Sequence, residues 1–346
     1  MSAEPAYPLI DAYPRLAALP RAGLLRAPTP VQALPDAGDT WVKRDDRSTE
    51  EFGGNKIRKL DLLLGDALAR NRRSLLAFGY SGSNFVAATA WHGHRLGLRT
   101  LGLLLPQVDA PYVADNLAMA RAAGAELIVR SSEPALLAAA VRGSLARLLR
   151  DARWPYWMPP GGSTPLGALG YVNAALELRQ QIERGECPLP QRVYVAFSSM
   201  GTVAGLAVGL ALAGLGARIQ AIQVVGPRYA GRDKLDALIG RTQRLLRHYD
   251  PGIPPVAVPV DIRTEHRGPR YAVPSPAAQA AMQRFIAASG ARSDSAYTGK
   301  ALAGLYADVD AGLPGTALYW HSFNAHGLPP GLRPLQPTEL APFLAH

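Results

Sequence analysis

Residues 74–105 read SLLAFGYSGSNFVAATAWHGHRLGLRTLGLLL. A short apolar run, Ser74–Phe78, is followed by small polar residues, by a longer helix-forming stretch, Asn84–Leu96, and by a second apolar run, Arg99–Leu105. Short apolar runs bounded by turn residues are typical of buried strands, and the longer stretch between them favours a helix. A strand, a helix and a strand in this order predict a parallel α/β sheet.

The same alternation continues to the end of the chain. It predicts further short buried strands at Glu126–Arg130, Arg192–Phe197, Arg218–Val225, Val256–Ile262 and Thr316–Trp320. It predicts helices between them at Asp115–Ala123, Glu133–Leu149, Leu166–Glu183, Thr202–Leu212 and Pro276–Ala288. Ligands of open α/β sheets bind at the carboxyl ends of the strands, so we expect the functional loops there.

Composition narrows the class of protein. The chain has 346 residues, 48% of them hydrophobic, which is enough for about two domains. It has no apolar run long enough to span a membrane, no signal-peptide pattern and one cysteine, Cys187, so we expect a cytoplasmic protein without disulfides. The net charge is +10, but the arginines are scattered, which argues against nucleic-acid binding and favours a small anionic ligand.

Lysine is scarce among the basic residues. Only five of the 37 are lysine, at positions 43, 56, 59, 234 and 300. Lys56 lies in the run Gly53-Gly-Asn-Lys-Ile-Arg-Lys-Leu60, where two glycines precede a helix-forming segment. At a helix N-terminus the positive end of the dipole lowers the pKa of an amine, and a neutral amine attacks aldehydes. The alternative is an ordinary exposed lysine, since most lysines are solvated.

Three loops carry further candidate residues. The loop from Phe197 to Gly205 places small hydroxyl residues and glycine before an apolar helix, which suits an anion such as phosphate or simply caps that helix. In the segment Gly79–Asn84, Ser83 is a candidate proton relay and Asn84 a candidate hydrogen-bond donor, although both residue types also cap helices. Tyr297 is a candidate acid or base, or a core tyrosine.

His92 and His94 are two apart on a helix and cannot chelate together, so we expect no metal.

Taken together, these segments resemble the D-cysteine desulfhydrase / 1-aminocyclopropane-1-carboxylate deaminase family of fold-type II pyridoxal-phosphate enzymes. The resemblance is carried by Val42–Asp46 and Gly53–Leu60. It continues, in the same order and spacing, through Ser83-Asn84, Gly161–Ser163, Gly201-Thr202, Tyr297–Lys300 and His321-Ser322.

The resemblance implies a two-domain α/β fold with open, mostly parallel twisted sheets. A smaller domain would span residues 49–160, and residues 1–48 with 161–346 would form a larger domain that binds pyridoxal 5'-phosphate. Lys56 would carry the cofactor as a Schiff base. Catalysis would also involve Ser83, Tyr271 and Tyr297, and the other cofactor contacts would be Asn84, Ser199, Met200, Gly201, Thr202, Thr298 and Ser322.

The family resemblance also implies a homodimer and a lyase. The expected reaction is α,β-elimination from a small β-substituted amino acid, such as D-cysteine or cysteate, to pyruvate, ammonia and the leaving group. A cyclopropane deaminase, a β-replacement synthase and a non-catalytic cofactor-binding protein remain alternatives. Several positions depart from the family pattern around the substrate and phosphate: Gly82, Phe85, Ser198, Met200 and Phe323-Asn324.

Overall fold

The computed structural model describes residues 7–268 and 271–345. Its strands are β1 Val31–Ala33, β2 Thr40–Lys43, β3 Ser74–Tyr80, β4 Arg99–Leu105, β5 Glu126–Val129, β6 Tyr156–Met158, β7 Arg192–Phe197, β8 Arg218–Gln223, β9 Val260–Arg263 and β10 Ala317–Trp320. Its α-helices are α1 Pro8–Ala12, α2 Ile57–Ala69, α3 Asn84–Arg95, α4 Pro111–Ala122, α5 Glu133–Asp151, α6 Pro165–Glu183, α7 Gly201–Leu212, α8 Arg232–Tyr249, α9 Pro276–Ser289, α10 Thr298–Asp310 and α11 Pro337–Leu340.

The strands form two sheets. The four-stranded sheet has the order β5-β4-β3-β6 and is entirely parallel. The six-stranded sheet has the order β1-β2-β10-β7-β8-β9 and is parallel except for β1, which pairs antiparallel with β2. This confirms the predicted α/β class with open, mostly parallel sheets. We keep the predicted domain division as a proposal, which the confinement of the four-stranded sheet to residues 74–158 supports.

Most of the predicted elements are present with small shifts at their ends. The predicted strand Val256–Ile262 is wrong at its start, because β9 begins only at Val260. Pro254, Pro255 and Pro259 lie in or just before that stretch, and proline has no N–H for a strand ladder. Strands β1, β2 and β6 and the charged helix α8 were not predicted. None of the helices in the described residues is long and apolar enough to cross a membrane.

Close packing of two helices fixes the position of the loop before α7. A Cβ at Gly205 of α7 would lie 2.2 Å from the backbone oxygen of Ala168 in α6, and one at Gly209 would lie 2.8 Å from the Cα of Val172. Only glycine permits this approach of the two backbones. The N-terminus of α7 is therefore held rigidly against α6.

A buried ionic cluster fixes the N-terminus of α2 in the same way. The guanidinium of Arg58 donates to Asp45 at 2.6 Å and to Glu177 of α6 at 3.0 Å. Lys43 on β2 donates to Glu177, and burial lowers the pKa of its amine. Two positive and two negative charges thus balance in the core. Removal of any one of the four would leave a buried charge without a partner, which is strongly destabilising. In the same region Asp46 forms a separate ion pair with Arg44 at 2.7 Å.

Candidate active site

A large cavity lies between the two sheets, next to the carboxyl ends of β3, β7 and β10. Its volume is about 1320 Å³. The loops that follow these strands, after Tyr80, Phe197 and Trp320, contribute to its lining. Of the predicted site residues, the structure brings the following to the cavity wall: Lys56, Ser83, Asn84, Ser199, Met200, Thr202, Tyr271, Tyr297 and Ser322.

Lys56 presents its amine to this cavity. The residue ends a short 3₁₀ turn directly before α2, and Nζ donates to Asn55 Oδ1 at 3.2 Å. Burial lowers the pKa of Lys56 to about 8, and the negative charge of Asp294 opposes this shift. The expected lowering is therefore present, but its main cause is desolvation rather than the helix dipole. A substantial fraction of the amine is neutral near pH 8 and can act as a nucleophile.

The loop before α7 has the shape of an anion cradle. Met200 has a φ of 70°, in the left-handed region, and this turns the chain into the helix that begins at Gly201. The backbone N–H of Gly201 donates to Ser163 Oγ at 3.1 Å, and Ser163 Oγ donates to Ser199 Oγ at 2.9 Å. Hydroxyls and backbone N–H groups therefore converge at a helix N-terminus, where an anion is favoured. Gly201 is part of this turn, although it does not itself line the cavity.

Lys59 is a site residue that sequence reasoning did not assign to the cradle. Its amine is buried, donates to the backbone oxygen of Gly161 at 3.0 Å and would lie 2.9 Å from a Cβ at Gly201. Burial and the nearby Lys56 hold the pKa of Lys59 well below its usual value. No carboxylate in the described ranges forms an ion pair with it. The sequence did contain a signal that Lys59 belongs to the site. It lies three residues after Lys56, and residues i and i+3 lie on the same face of a helix.

Ser83 and Asn84 have different surroundings at the start of α3. Ser83 Oγ accepts from the N–H of Val86 at 3.3 Å, so it caps the helix as well as lining the cavity. The side-chain N–H of Asn84 donates to the backbone oxygen of Gly53 at 3.4 Å. Its Oδ1 is buried and has no hydrogen-bond partner within residues 7–268 and 271–345. A buried polar atom without a partner is costly, so a bound ligand group is expected beside it.

The tyrosines form a continuous wall on one side of the cavity. Tyr297 and Tyr271 share a short hydrogen bond between their hydroxyls, and the Tyr297 ring centroid lies 6.0 Å from Lys56 Nζ. The Tyr271 ring stacks on Tyr80 at 4.7 Å, and Tyr80 is hydrogen-bonded to Tyr229. Burial raises the pKa values of Tyr271 and Tyr297, which keeps both phenols protonated. The raised pKa also makes each phenol a weaker acid, so either would pass its proton only to a more basic group held beside it.

Thr298, a predicted cofactor contact, lies away from the cavity wall. Thr298 is fully buried and does not line the cavity. Its hydroxyl is used locally, because it donates to Asp294 Oδ2 at 2.9 Å and accepts from the Asp294 N–H at 2.7 Å. Ser322, another predicted cofactor contact, does line the cavity.

Asp294 is a second residue that sequence reasoning missed. It lines the cavity, and Oδ1 accepts from the N–H of Tyr297 at 2.6 Å at the start of α10. Burial raises the pKa of its carboxyl, while hydrogen bonds and Lys56 act in the opposite direction. A carboxylate four residues before the first residue of α10 was the available sequence signal.

Comparisons with known proteins place this geometry in a family. Residues 23–318 match the family model described as pyridoxal-phosphate dependent enzyme. The chain is similar to the nocardicin C-9' epimerase of Nocardia uniformis subsp. tsuyamanensis, with 37% identity over 89% of this chain and 93% of that protein. It is 33% identical to the D-cysteine desulfhydrase of Serratia proteamaculans, over 84% of this chain and 88% of that protein. A crystal structure of an ACC deaminase homologue superposes with a TM-score of 0.79 and 30% identity, covering 94% and 96% of the two chains.

Proposed function

The chain belongs to the fold-type II pyridoxal-phosphate-dependent enzymes of the D-cysteine desulfhydrase / 1-aminocyclopropane-1-carboxylate deaminase family, and from this we propose that it is a lyase acting at the α-carbon of an amino acid. The proposed reaction is α,β-elimination from a β-substituted alanine, such as D-cysteine or cysteate, to pyruvate, ammonia and the leaving group. The observation that carries the proposal is the position of the buried Lys56 amine. Its pKa is lowered to about 8, and its Nζ lies 6.0 Å from the ring centroid of Tyr297, which is hydrogen-bonded to Tyr271.

The residues of the cavity fit pyridoxal phosphate. Lys56 would hold it covalently, and the turn from Ser199 to Thr202 would hold its phosphate. Lys59, a buried amine without an anionic partner in the part of the chain described, would supply a charge to that phosphate. The unpaired Asn84 Oδ1 marks a second polar position on the cavity wall, and Ser322 marks a third. When bound, the cofactor supplies an electron sink that stabilises negative charge at the α-carbon of the amino acid.

Each side chain near the α-carbon has a separate proposed task. The Lys56 amine removes the α-proton, because the lowered pKa makes it a base at mildly alkaline pH. Tyr297 donates a proton to the departing β-substituent, since burial keeps its phenol protonated and Tyr271 and Ser198 bond to it. Ser83 lies on the cavity wall, where its hydroxyl is available to the substrate carboxylate.

A second candidate, epimerisation at the α-carbon of a larger amino acid, is favoured by the size of the cavity. Ligand pockets usually have volumes of about 300–1,000 Å³, and this cavity has about 1320 Å³. It continues past Tyr80 to Leu136 and Leu137 at the start of α5 and to Arg241 on α8. Removal of the proton by Lys56 and its return by Tyr297 would invert the centre. The name of the 37% identical relative, an epimerase, agrees with this candidate.

One experiment separates the two reactions. The purified holoenzyme is incubated in D₂O with D-cysteine, L-cysteate, 1-aminocyclopropane-1-carboxylate and an S-aryl cysteine, and keto acid, α-deuterium and chirality are measured. Elimination predicts keto acid from a β-substituted alanine, with little or none from the cyclopropane substrate. Inversion with deuterium but without keto acid would favour the epimerase. Absence of both keto acid and α-deuterium with every amino acid would refute both reactions, and faster turnover of the cyclopropane substrate would refute elimination.

The extent of the cavity has its own test. Arg241→Gln should raise KM for an S-aryl cysteine that carries a carboxylate on its ring, and leave kcat and the KM for D-cysteine unchanged. Arg244→Gln is the matched control, because Arg244 is exposed on the same helix but does not line the cavity. Equal behaviour of the two variants would argue against a substrate that reaches α8.

A further inference from the structure

The turn before α3 contains a glycine, Gly82, that leaves room for a tyrosine of α4. A Cβ at Gly82 would lie 2.7 Å from Cε2 of Tyr112 and 2.9 Å from Oε1 of Gln107. Gly82 and Tyr112 both line the cavity, and Gly82 is one of the positions that depart from the family pattern. Any side chain at this position would have to displace Tyr112 or Gln107. Glycine therefore allows the ring of Tyr112 to form part of the cavity wall.

The backbone of Gly82 is held by side chains from the segment that follows β4. Its N–H donates to Gln107 Oε1 at 2.9 Å, and its carbonyl oxygen accepts from Asn116 Nδ2 at 2.9 Å. Gln107 is itself buried, and its backbone oxygen accepts from the N–H of Ala345 at 2.8 Å. The turn before α3 and the first residues of α4 are therefore joined into one connected unit.

The orientation of the Gln107 side-chain amide determines where the Tyr112 proton points. A backbone N–H can only donate, so the amide oxygen of Gln107 must face Gly82. The amide Nε2 therefore faces the other way, and it donates to the backbone oxygen of Val108 and to the Tyr112 hydroxyl, both at 3.3 Å. Because the Tyr112 oxygen is the acceptor in this bond, its O–H is left for another partner. No acceptor for this O–H is found in the part of the chain that the structure describes.

The surroundings of Tyr112 indicate which group this O–H would meet. Burial raises the pKa of Tyr112, and the nearby Tyr297 and Asp294 raise it further, so the phenol stays protonated. It therefore offers a hydrogen bond rather than a proton. Both oxygens of Asp294 already accept hydrogen bonds within their own turn, Oδ1 from the Tyr297 N–H and Oδ2 from the Thr298 hydroxyl. The unused donor thus lies near Tyr297, which is proposed to act on the departing β-substituent.

We propose that the Tyr112 hydroxyl binds the β-substituent of the amino-acid substrate, and that Gln107 positions it by directing its O–H into the cavity. The ligand class is an amino acid whose β-substituent carries anionic oxygens, such as the sulfonate of cysteate, in preference to the thiol of cysteine. Oxygens of this kind form strong charge-assisted hydrogen bonds, whereas a thiol sulfur is a weak acceptor. The role of Tyr112 rests on the proposed function, in which an amino acid is held at Lys56.

The first experiment measures binding without elimination. The holoenzyme is titrated with aspartate and with alanine, each as the D and the L form, and the visible absorbance of the cofactor is followed. Aspartate carries a β-carboxylate that is not a leaving group in the proposed elimination, and alanine has no β-substituent. Tyr112→Phe should raise the Kd for aspartate about 10- to 100-fold, because one charge-assisted hydrogen bond is lost, and leave the Kd for alanine unchanged.

Tyr156→Phe is the matched control for this titration. Tyr156 is partly buried like Tyr112, but its hydroxyl donates to Asp66 at 2.7 Å and the residue does not line the cavity. The control variant should bind both amino acids like the wild type. In steady-state assays, Tyr112→Phe should raise KM for cysteate by the factor seen for aspartate and leave kcat/KM for D-cysteine unchanged.

Gln107→Glu tests the positioning role, because a carboxylate has no hydrogen to donate. It would accept from the Gly82 N–H and from the Tyr112 O–H, which turns that O–H away from the cavity. The variant should therefore lose aspartate affinity by about the factor seen in Tyr112→Phe. The double variant should bind aspartate no more weakly than Tyr112→Phe alone, because both changes remove the same hydrogen bond. A further loss in the double variant would show repulsion by the new carboxylate instead, and would overturn the role of Gln107.

The role of Tyr112 is overturned if Tyr112→Phe leaves the Kd for aspartate unchanged. It is equally overturned if that variant raises the Kd for alanine as much as the Kd for aspartate, because the hydroxyl would then serve the α-carboxylate or the fold. A wild type that releases no keto acid from any substrate, yet shows the contrast between aspartate and alanine on loss of the hydroxyl, would contradict the proposed elimination and support the role of Tyr112.

Discussion

Replacement of Lys59 by methionine provides a sharp test of the anion cradle. The buried amine lies beside Gly201 and has no carboxylate partner in the residues that the structure describes, so a bound phosphate would be its counter-charge. A charge-assisted hydrogen bond contributes about 1.5–3 kcal/mol. At about 1.4 kcal/mol for each factor of ten, loss of this bond should raise the Kd for pyridoxal phosphate about 10- to 150-fold.

The same substitution should not destabilise the cofactor-free protein. Burial of an amine opposes folding, and methionine has a similar length without the charge. Because the pKa of Lys59 is lower in the folded chain than in the unfolded chain, the unfolded chain binds more protons between the two pKa values. Stability therefore rises with pH in that window, which extends up to about 10.4. Lys59→Met should remove this part of the slope.

The assay is a cofactor titration followed by visible absorbance, with urea unfolding of the cofactor-free protein at pH 7 and pH 9. Arg70→Met is the control for loss of a positive charge, because Arg70 is 60% exposed at the end of the same helix. It should bind the cofactor like the wild type. An unchanged Kd in Lys59→Met would refute the cradle, and a large loss of stability would refute the conclusion that the amine is held at a cost.

Four further changes test the rest of the site. Lys56→Ala should abolish turnover and the absorption band of lysine-bound cofactor, while some cofactor remains bound without a covalent link; retention of both would refute its role. Thr202→Val should weaken cofactor affinity, by titration, far more than it lowers the unfolding midpoint. Tyr297→Phe should reduce kcat about 10²–10⁴-fold if its hydroxyl moves a proton in the slow step; an unchanged kcat would exclude that. Glu177→Gln should cost about 3–5 kcal/mol in urea unfolding, because Lys43 and Arg58 lose their shared carboxylate.

Local patterns in the sequence were sufficient for the fold class and for predicting many of the residues that line the cavity. The apolar runs of β3, β4 and β7 have the same bounds, within two residues, as predicted, because buried parallel strands are short, apolar and flanked by turn residues. The polar turns that follow these strands were predicted to be ligand-binding loops, because ligands of open α/β sheets bind at the carboxyl ends of the strands. Lys56 stood out by its glycines and by the scarcity of lysine. Helix α8 was not predicted, because its many charged residues obscure the narrow apolar stripe that would identify an amphipathic helix in the sequence.

Tertiary structure decided what depends on distant neighbours. Lys59 becomes a candidate phosphate partner because Gly161 and Gly201, more than 100 residues away, enclose its amine. Thr298 matches a family motif, yet its hydroxyl donates a hydrogen bond to Asp294 and the residue does not line the cavity. The leucines of α5 have ordinary helical spacing, and only the packed sheet reveals which side is left open. Periodicity is a local property of the chain, whereas burial, pKa shifts and surface exposure depend on which segments fold against one another.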